Sequence, residues 1–359
     1  MSETGARHPT RVLMIGGSAH HPGGLESYCA RAVEAVARSG RTIALAWLES
    51  GTAYLSPRHL PGIARVIGAM RRARHDGVEV AWVQASNLTE LALGEVARLL
   101  GFRVIVTPHF GAASRMETHP VARAIAARLL ARADRIALLF ARQVEEICVP
   151  SAQPHAVVGT FLPAASLLPW SSDPASPAQL RLLHAGRFSD GKGTFRMVAL
   201  CAALRARGVS FTGRIIGRGD VETAARLHAA IAAADLGGAL IVEDWRDEPG
   251  LIAALREADV LVHLSTLDSF PLIVLEAMAC DCYPVVFDMA GAGEMVARFD
   301  GLSMPATTGI DALAERLAAL SPNDVRERAR AIGQVVRAAY DWPVIVRELE
   351  RIVAEVRPG

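Results

Sequence analysis

Short apolar runs alternate with stretches of helical composition along almost the whole of this 359-residue chain. Runs that are apolar throughout, rather than at every second position, are typical of strands buried on both faces of a parallel sheet. The predicted strands are residues 11–17, 42–48, 78–84, 103–109, 135–140, 180–186, 211–217, 239–244, 258–264 and 282–288. Because helical patterns such as 192–207, 220–235 and 271–280 separate them, we predict an α/β protein with doubly wound sheets.

One segment interrupts this alternation. Residues 162–180, "LPAASLLPWSSDPASPAQL", are rich in proline, serine and alanine, which is typical of a linker. The length of the chain also favours two domains over one. We predict a first Rossmann-like domain over residues 1–165, a linker over 166–180 and a second Rossmann-like domain over 181–341. Since ligands of such sheets bind at the carboxyl ends of the strands, we expect the functional site in a cleft between the domains.

The composition narrows the class of protein. With 51% apolar and 21% charged residues, the chain is globular rather than disordered. No apolar run reaches the length of about 18–20 residues that a membrane helix needs, and the polar N-terminus passes directly into a strand, unlike a signal peptide. The five cysteines are scattered and form no metal-binding pair, so we expect a reduced, cytoplasmic protein without a metal site.

Lys192 is the only lysine among 38 basic side chains. It lies in "GRFSDGKGT", residues 186–194, directly after a predicted strand. The spacing approaches that of a phosphate-binding P-loop, but the bulky Phe188 and the acidic Asp190 do not suit a loop that wraps phosphates. Arg187 and Lys192, flanked by glycines at the start of a helix, can instead hold a diphosphate from one side.

A second phosphate-binding candidate lies further along the chain. Asp268 and Glu276 are separated by seven residues and flank a predicted helix start, where Pro271 suits the first position. The backbone N–H groups of Leu272 and Ile273 would then be available to bind a phosphate without a metal. Glu276 can accept hydrogen bonds from two adjacent hydroxyls, such as those of a ribose, and Asp268 can meet sugar hydroxyls.

Seven segments, taken in order, resemble glycosyltransferase family 4 of the GT-B fold, also described as glycosyl transferases group 1. The segments are "HHPGGLESY" (20–28), "VTPHFG" (106–111), "GRFSDGKG" (186–193), "GRGD" (217–220), "LDSFPLIVLEAMACDCYPVV" (267–286), "GAGEMV" (291–296) and "YDWPVIVRELERIV" (340–353). The resemblance implies two Rossmann-like domains facing a central cleft, with the helix at 342–359 closing the first domain. The chain departs from the family pattern at Asp268, where glutamate is usual, and at Pro271 and Asp281, where glycine is usual.

The same resemblance implies the roles of individual residues. Arg187, Lys192 and the amides at 272–273 would neutralise the leaving diphosphate of a nucleoside-diphosphate sugar. His109 would face the donor sugar, and Asp268 would contact its hydroxyls. The remaining candidates for binding the donor are Gly23, Gly24, Gly217, Asp244, Ser269, Phe270, Pro271, Leu272, Ile273 and Glu276. Members of the family retain the anomeric configuration and need neither a metal nor another cofactor, and the chain has no Asp-x-Asp metal motif.

The acceptor is predicted from charge. Residues 1–160 carry 18 arginines against 12 acids, so this half is the one that would meet an anionic surface. Residues 58–75 hold five arginines, two histidines and no acid. The apolar positions on one face of this predicted helix are Ile63, Val66, Ile67 and Met70. The pattern suits a helix on an anionic membrane, and it also suits an ordinary amphipathic helix packed on the sheet.

We therefore expect a retaining hexosyltransferase that acts on a glycan or lipid-linked acceptor in cell-surface polysaccharide or glycolipid synthesis. It would be cytoplasmic, with peripheral contact at the inner face of the plasma membrane, and would have no nucleic-acid partner. Two alternatives stay open. A donor-binding but inactive partner protein would bind the donor without turnover, and a nucleotide-sugar epimerase of the same fold would convert a nucleotide sugar without an acceptor.

Overall fold

The computed structural model of the protein describes residues 9–18, 23–51, 60–169, 179–268 and 270–357. The chain divides into two compact units. The first unit consists of Met1–Phe161 together with Tyr340–Gly359, and the second unit is Leu162–Ala339.

The first unit is a parallel sheet covered by helices. Within the described residues its strands are β1 (Thr10–Ile15), β2 (Ile43–Leu48), β3 (Val80–Ala85), β4 (Arg103–Pro108), β5 (Arg135–Leu138) and β6 (His155–Val157). Its helices are α1 (Gly24–Ser39), α2 (Leu60–His75), α3 (Leu88–Leu99), α4 (Arg115–Thr118), α5 (Pro120–Leu130), α6 (Gln143–Glu146) and the C-terminal α14 (Trp342–Val356). The strand order is β2-β1-β3-β4-β5-β6, so the direction in which strands are added reverses between β1 and β3.

Alternate residues of a central strand enter different cores. Every residue of β3 is buried, as expected for a strand covered on both faces. Ala81 and Val83 join a core that includes Val66 of α2. Trp82 points to the other face, where its ring centroid lies 5.9 Å from that of Tyr28 in α1. This two-sided burial explains why the strand carries no polar alternation.

The second unit repeats the architecture. It begins with a 3-10 helix (Ala164–Leu167), and its strands are β7 (Leu180–Ala185), β8 (Phe211–Ile216), β9 (Leu240–Glu243), β10 (Val260–His263), β11 (Tyr283–Phe287) and β12 (Leu302–Met304). The helices are α7 (Thr194–Ala206), α8 (Val221–Ala233), α9 (Glu248–Glu257), α10 (Leu272–Ala279), α11 (Ala290–Arg298), α12 (Ile310–Ala318) and α13 (Pro322–Ala339). Among the residues described, the strand order is β12-β11-β10-β7-β8-β9, and the reversal falls between β7 and β10. All the pairings in both sheets are parallel.

The predicted α/β class is confirmed, and each predicted strand is present with ends shifted by at most two residues. The pattern missed β6 and β12, which have three residues each and lie at the sheet edges. A strand this short does not produce a readable apolar run.

A buried carboxylate fixes the amino-terminal side of the second sheet. Asp259, 3% exposed, precedes β10 and accepts hydrogen bonds from the guanidinium groups of Arg181 in β7, at 2.8 Å, and Arg326 in α13, at 2.9 Å. Burial alone would raise the pKa of Asp259, but the bonds from Arg181 and Arg326 lower it below its usual value. These contacts tie two neighbouring strands to α13.

We expect Asp259→Asn to lower the free energy of unfolding by about 3 kcal/mol, because removing the anion leaves two partly buried guanidinium groups without a counter-charge. Because the pKa of Asp259 is lower in the folded protein than in the unfolded chain, its stabilisation is present above the unfolded pKa of about 3.9 and is lost as the pH falls through the folded pKa. Urea denaturation at about pH 7 and at about pH 2–3, below the unfolded pKa, measures both effects.

Asp235→Asn is the matched control. Asp235 also pairs with an arginine, Arg205, but its side chain is 90% exposed. We expect a loss below about 1 kcal/mol for this variant. Equal losses in the two variants would contradict the role given to Asp259.

Candidate functional site

Two loops meet where the second sheet reverses its strand order. One loop, residues 186–193, follows β7 and leads into α7, and the other begins at residue 264, after β10. Because β7 and β10 are hydrogen-bonded neighbours, their carboxyl ends lie side by side. Doubly wound sheets bind their ligands at this kind of position.

Hydrogen bonds from the backbone and from the first turn of α7 hold the two loops together. The N–H of Thr266 donates to the carbonyl of Gly191 at 2.9 Å, and Nη1 of Arg196 donates to the carbonyl of Leu264 at 3.1 Å. Gly193 has φ of 85°, and a Cβ atom there would lie 2.5 Å from the carbonyl oxygen of Leu264. Glycine is therefore required at this position, both by the left-handed backbone and by the close approach of the second loop.

An ion pair joins the loops at their tips. Lys192 pairs with one oxygen of Asp268, and Nε2 of His263 donates to the other oxygen at 3.1 Å. His263 is buried, whereas Lys192 and Asp268 are partly exposed. Burial would raise the pKa of Asp268, but the hydrogen bond from His263 and the charge of Lys192 hold that pKa well below its usual range. The structure thus joins two residues that the sequence analysis placed in separate motifs.

Arg187 and Phe188 point in opposite directions from the end of β7. Phe188 is buried, and its N–H donates to the carbonyl of Arg218 at 2.9 Å. Its side chain packs against Gly219, where a Cβ atom would lie 2.9 Å from the Cβ of Phe188. Arg187 is exposed, and no described residue forms a hydrogen bond or ion pair with its side chain. Phe188 therefore anchors the loop inside the domain while Arg187 is available to an anion.

The start of α10 differs by one residue from the prediction, because Pro271 is the N-cap rather than the first helical residue. Pro271 is the N-cap residue and supplies no side-chain hydrogen bond, so the first-turn N–H groups of Leu272 and Ile273 have no capping side chain. Glu276 is 5% exposed, which makes it a buried acid rather than a solvated one. Phe270 is partly buried, and the predicted Ser269 lies outside the described residues.

The remaining donor-binding candidates of the second unit follow β8 and β9. The N–H of Gly217 donates to the carbonyl of Glu243 at 3.1 Å, and a Cβ atom at Gly217 would lie 1.9 Å from the carbonyl oxygen of Gly186. Asp244 is exposed, and its Oδ1 accepts the N–H of Trp245 at 2.7 Å. Both candidates lie at the carboxyl edge of the sheet, on the β8–β9 side of the phosphate-loop candidate.

The other predicted site residues belong to the first unit. His109 follows β4, is partly exposed and has Nε2 at 2.9 Å from Oε1 of Gln84. Burial lowers the pKa of His109 to about 3. Gly23 is the N-cap of α1 and Gly24 is its first residue.

The basic helix α2 does not present an apolar face to solvent. Val66 and Met70 are buried in the core of the first unit, and Ile67 packs against that core. The exposed side chains among the described residues of the helix include Arg65, Arg71 and Arg72. Of the two interpretations of this helix, packing on the sheet accounts for its apolar face. Among the described residues, no helix is long and apolar enough to cross a membrane.

Three residues near the candidate sites were missed by sequence reasoning. His263 ends β10 five positions before Asp268, and Gln84 is the polar residue near the end of the apolar β3. Trp245 follows β9, is 53% exposed and lies 5.5 Å from the guanidinium of Arg218. A polar or aromatic residue at the carboxyl end of an apolar run was the available signal.

The fold and the two joined loops define a GT-B protein. Residues 173–337 match the family described as glycosyl transferases group 1. Crystallised HepE from Anabaena, in complex with UDP and glucose, superposes with a TM-score of 0.73 over 96% of this chain and 100% of that chain, at 15% identity. At this identity the likeness shows the shared fold.

Curated relatives match part of the chain. WcaL of Escherichia coli (strain K12) is 30% identical over 191 residues, which is 50% of this chain and 46% of WcaL. Phosphatidyl-myo-inositol mannosyltransferase of Mycobacterium leprae (strain TN) is 35% identical over 150 residues, 40% of this chain and 37% of the relative. The chain thus spans less than half the length of these relatives in the matched regions.

The contact at Gly193 predicts the effect of a methyl group. We expect Gly193→Ala to destabilise the protein by more than about 3 kcal/mol, because it adds a backbone clash with Leu264 to the cost of about 1–2 kcal/mol for a left-handed alanine. Gly208→Ala is the control, since Gly208 has φ of 73° and open space around its Cβ position. It should show only the conformational cost in thermal or urea denaturation, and equal losses would contradict the steric argument.

Proposed function

We propose that this chain is a metal-independent, retaining glycosyltransferase that moves a sugar from a nucleoside-diphosphate sugar to a glycan or lipid-linked acceptor. The observation that carries the proposal is the meeting of Lys192, Asp268 and the start of α10 at the β7–β10 reversal of a group 1 domain. The complex of HepE with UDP and glucose supports a nucleotide-sugar donor.

The charges suit a departing diphosphate. Arg187 offers a planar fork, Lys192 a compact charge, and the start of α10 two N–H groups with the positive end of the helix dipole. As the bond between the anomeric carbon and the phosphate oxygen breaks, its electron pair stays on the diphosphate. The acceptor oxygen forms the new bond on the same face of the sugar, and its proton passes to the leaving phosphate. The cationic groups stabilise the charge that develops.

The ion pair between Lys192 and Asp268 means that a donor phosphate competes with Asp268 for Lys192. In the structure Lys192 already has an anionic partner, so a donor phosphate must share or replace that partner. Once Lys192 turns to phosphate, the Asp268 carboxylate, still held by His263, is available to sugar hydroxyls. Asp268, whose side chain is shorter than the glutamate usual in the family, therefore connects donor binding to sugar recognition.

The acceptor is proposed to reach the enzyme at an anionic membrane surface. The exposed arginines of α2 supply an electrostatic contact that needs no apolar insertion. The names of two relatives agree with such acceptors, since one refers to colanic acid biosynthesis and the other to phosphatidyl-myo-inositol.

Lys192→Ala tests the phosphate contact. The ligand is whichever of UDP, GDP and ADP stabilises the wild type most in a thermal-shift assay. We expect Lys192→Ala to bind this nucleoside diphosphate roughly tenfold or more weakly, because a charge-assisted hydrogen bond is worth about 1.5–3 kcal/mol. Calorimetric titration measures the change, and turnover should fall with it. Arg205→Ala, on the exposed surface, should bind like the wild type. Unchanged binding and turnover in Lys192→Ala would overturn the proposal.

Asp268→Asn tests the competition. Removing the negative charge frees Lys192, so we expect the same diphosphate to bind about fivefold more tightly, which corresponds to about 1 kcal/mol for a partly exposed ion pair. Turnover of the nucleotide sugar should fall, since the amide is a weaker partner for sugar hydroxyls. Weaker diphosphate binding in Asp268→Asn would contradict the competition while leaving the Lys192 test intact.

Product analysis separates the proposed activity from its alternatives. We expect turnover to be unchanged by EDTA and the product to keep the anomeric configuration of the donor, as read by NMR. Diphosphate binding without turnover would indicate the inactive partner protein. Conversion of a nucleotide sugar without an acceptor would indicate the epimerase.

A further inference from the structure

A cluster of uncharged polar side chains lies where the first sheet reverses its order. Gln84 is in β3, His109 follows the neighbouring strand β4, and Tyr28 is in α1. The N–H of His109 donates to the carbonyl of Ala85 at 2.7 Å, so its backbone continues the sheet register. The His109 ring stands edge-on to that of Tyr28, with centroids 4.9 Å apart at 77°. The position of the imidazole is thus fixed from two sides.

Gln84 contacts one nitrogen of this ring. Its Oε1 lies 2.9 Å from Nε2 of His109, and the Gln84 side chain is fully buried. A neutral imidazole carries a single N–H group. Its other nitrogen has a lone pair and can only accept a hydrogen bond. The partner of Nε2 therefore decides which kind of hydrogen bond Nδ1 can make.

The ring is neutral at physiological pH. Burial lowers the pKa of His109 to about 3, and no acid among the described residues opposes this effect. The carboxylate of Glu90 at this end of the sheet is bonded to the N–H of Gly17 and to Ser86. Glu26 of α1 accepts the N–H of Ser18. Arg31 of α1 donates to the carbonyl of Phe161. Burial raises the pKa of the Tyr28 hydroxyl and that of the Cys29 thiol, so both groups are neutral.

Two further polar atoms beside His109 lack partners among the described residues. They are the amide nitrogen of Gln84 and the hydroxyl of Tyr28, and both are buried. Buried donors without acceptors are costly, so their occurrence on both sides of one histidine indicates a place where a hydroxyl-bearing ligand completes the hydrogen bonding.

We propose that Gln84 is a positioning residue that holds His109 as the Nε2–H tautomer, so that Nδ1 accepts a hydrogen bond from a sugar hydroxyl of the bound substrate. Gln84 acts through His109 in this arrangement. The identity of the hydroxyl as a sugar group rests on the proposed function, whereas the tautomer is a property of the protein alone.

His184 supplies an internal reference for the opposite tautomer. Its Nδ1 lies 3.0 Å from the carbonyl oxygen of Val262, which can only accept, so its hydrogen must be on Nδ1. Its Nε2 lies 3.3 Å from the hydroxyl of Thr194, which can donate. Burial lowers the pKa of His184 to about 4, so this ring is also neutral at physiological pH. The two histidines should therefore differ in tautomer within one protein.

Long-range proton–nitrogen NMR of the full chain reads both tautomers. With 11 histidines in the chain, the two rings are assigned by comparison with His109→Gln and His184→Gln. We expect an unprotonated Nδ1 in His109 and a protonated Nδ1 in His184. A protonated Nδ1 in His109, in the presence of the expected His184 signal, would overturn the proposal.

Gln84→Met removes the acceptor while keeping the side-chain volume close. We expect the His109 signals to show a mixture of tautomers and kcat to fall on the order of tenfold, with the melting temperature nearly unchanged. Gln84→Asn, which keeps an amide but shortens its reach, should show a partial return of the Nε2–H signal when the fold is intact. An unchanged tautomer and unchanged kcat in Gln84→Met would contradict the role of Gln84.

The sugar contact is tested by adding ligand to the wild-type protein. We expect UDP-glucose, or the nucleotide sugar selected by thermal shift, to move the His109 Nδ1 resonance, whereas the corresponding nucleoside diphosphate should leave it in place. Equal shifts with the two ligands would overturn the sugar contact. If no nucleotide sugar binds at all, the proposed function fails, and the tautomer measurement still decides the role of Gln84.

Discussion

The reversal of strand order in each parallel sheet is the constraint on which the candidate sites depend. Where two neighbouring strands lead to helices on opposite faces of a sheet, the carboxyl edge between them offers a crevice for a ligand. Lys192 and Asp268 follow β7 and β10, the strands that flank the reversal of the second sheet. Gln84 belongs to β3, which borders the reversal of the first sheet, and His109 follows the next strand.

Each crevice is built by a different kind of interaction. In the second unit, charge dominates, because one cation, one carboxylate and one histidine are linked across two loops. In the first unit, the described residues around His109 are uncharged amides and rings, and burial keeps the imidazole neutral. The first arrangement suits a diphosphate, and the second suits hydroxyl groups.

Much of the fold and part of the site could be predicted from local patterns. The strands were predictable because burial on both faces leaves a continuous apolar run, while β6 and β12 were too short to leave one. The helix start at Pro271 was predictable because proline chemistry is local. Gln84 and His263 were missed because a single polar residue at a strand end has no distinctive spacing. The apolar face of α2 was open to two interpretations, and burial of Val66 and Met70 in the core decided between them.

The sequence by itself determined the order of strands and helices, the glycine-flanked loop with Arg187 and Lys192, and the uncapped helix start after Asp268. These features depend on backbone preferences and on residues close together in the chain. Only the tertiary structure decided that Lys192 meets Asp268, 76 positions away, and that Nε2 of His109 meets Gln84. Such partners are set by which strands become neighbours in the sheet, and that choice is made by the packing of the whole domain rather than by any local pattern.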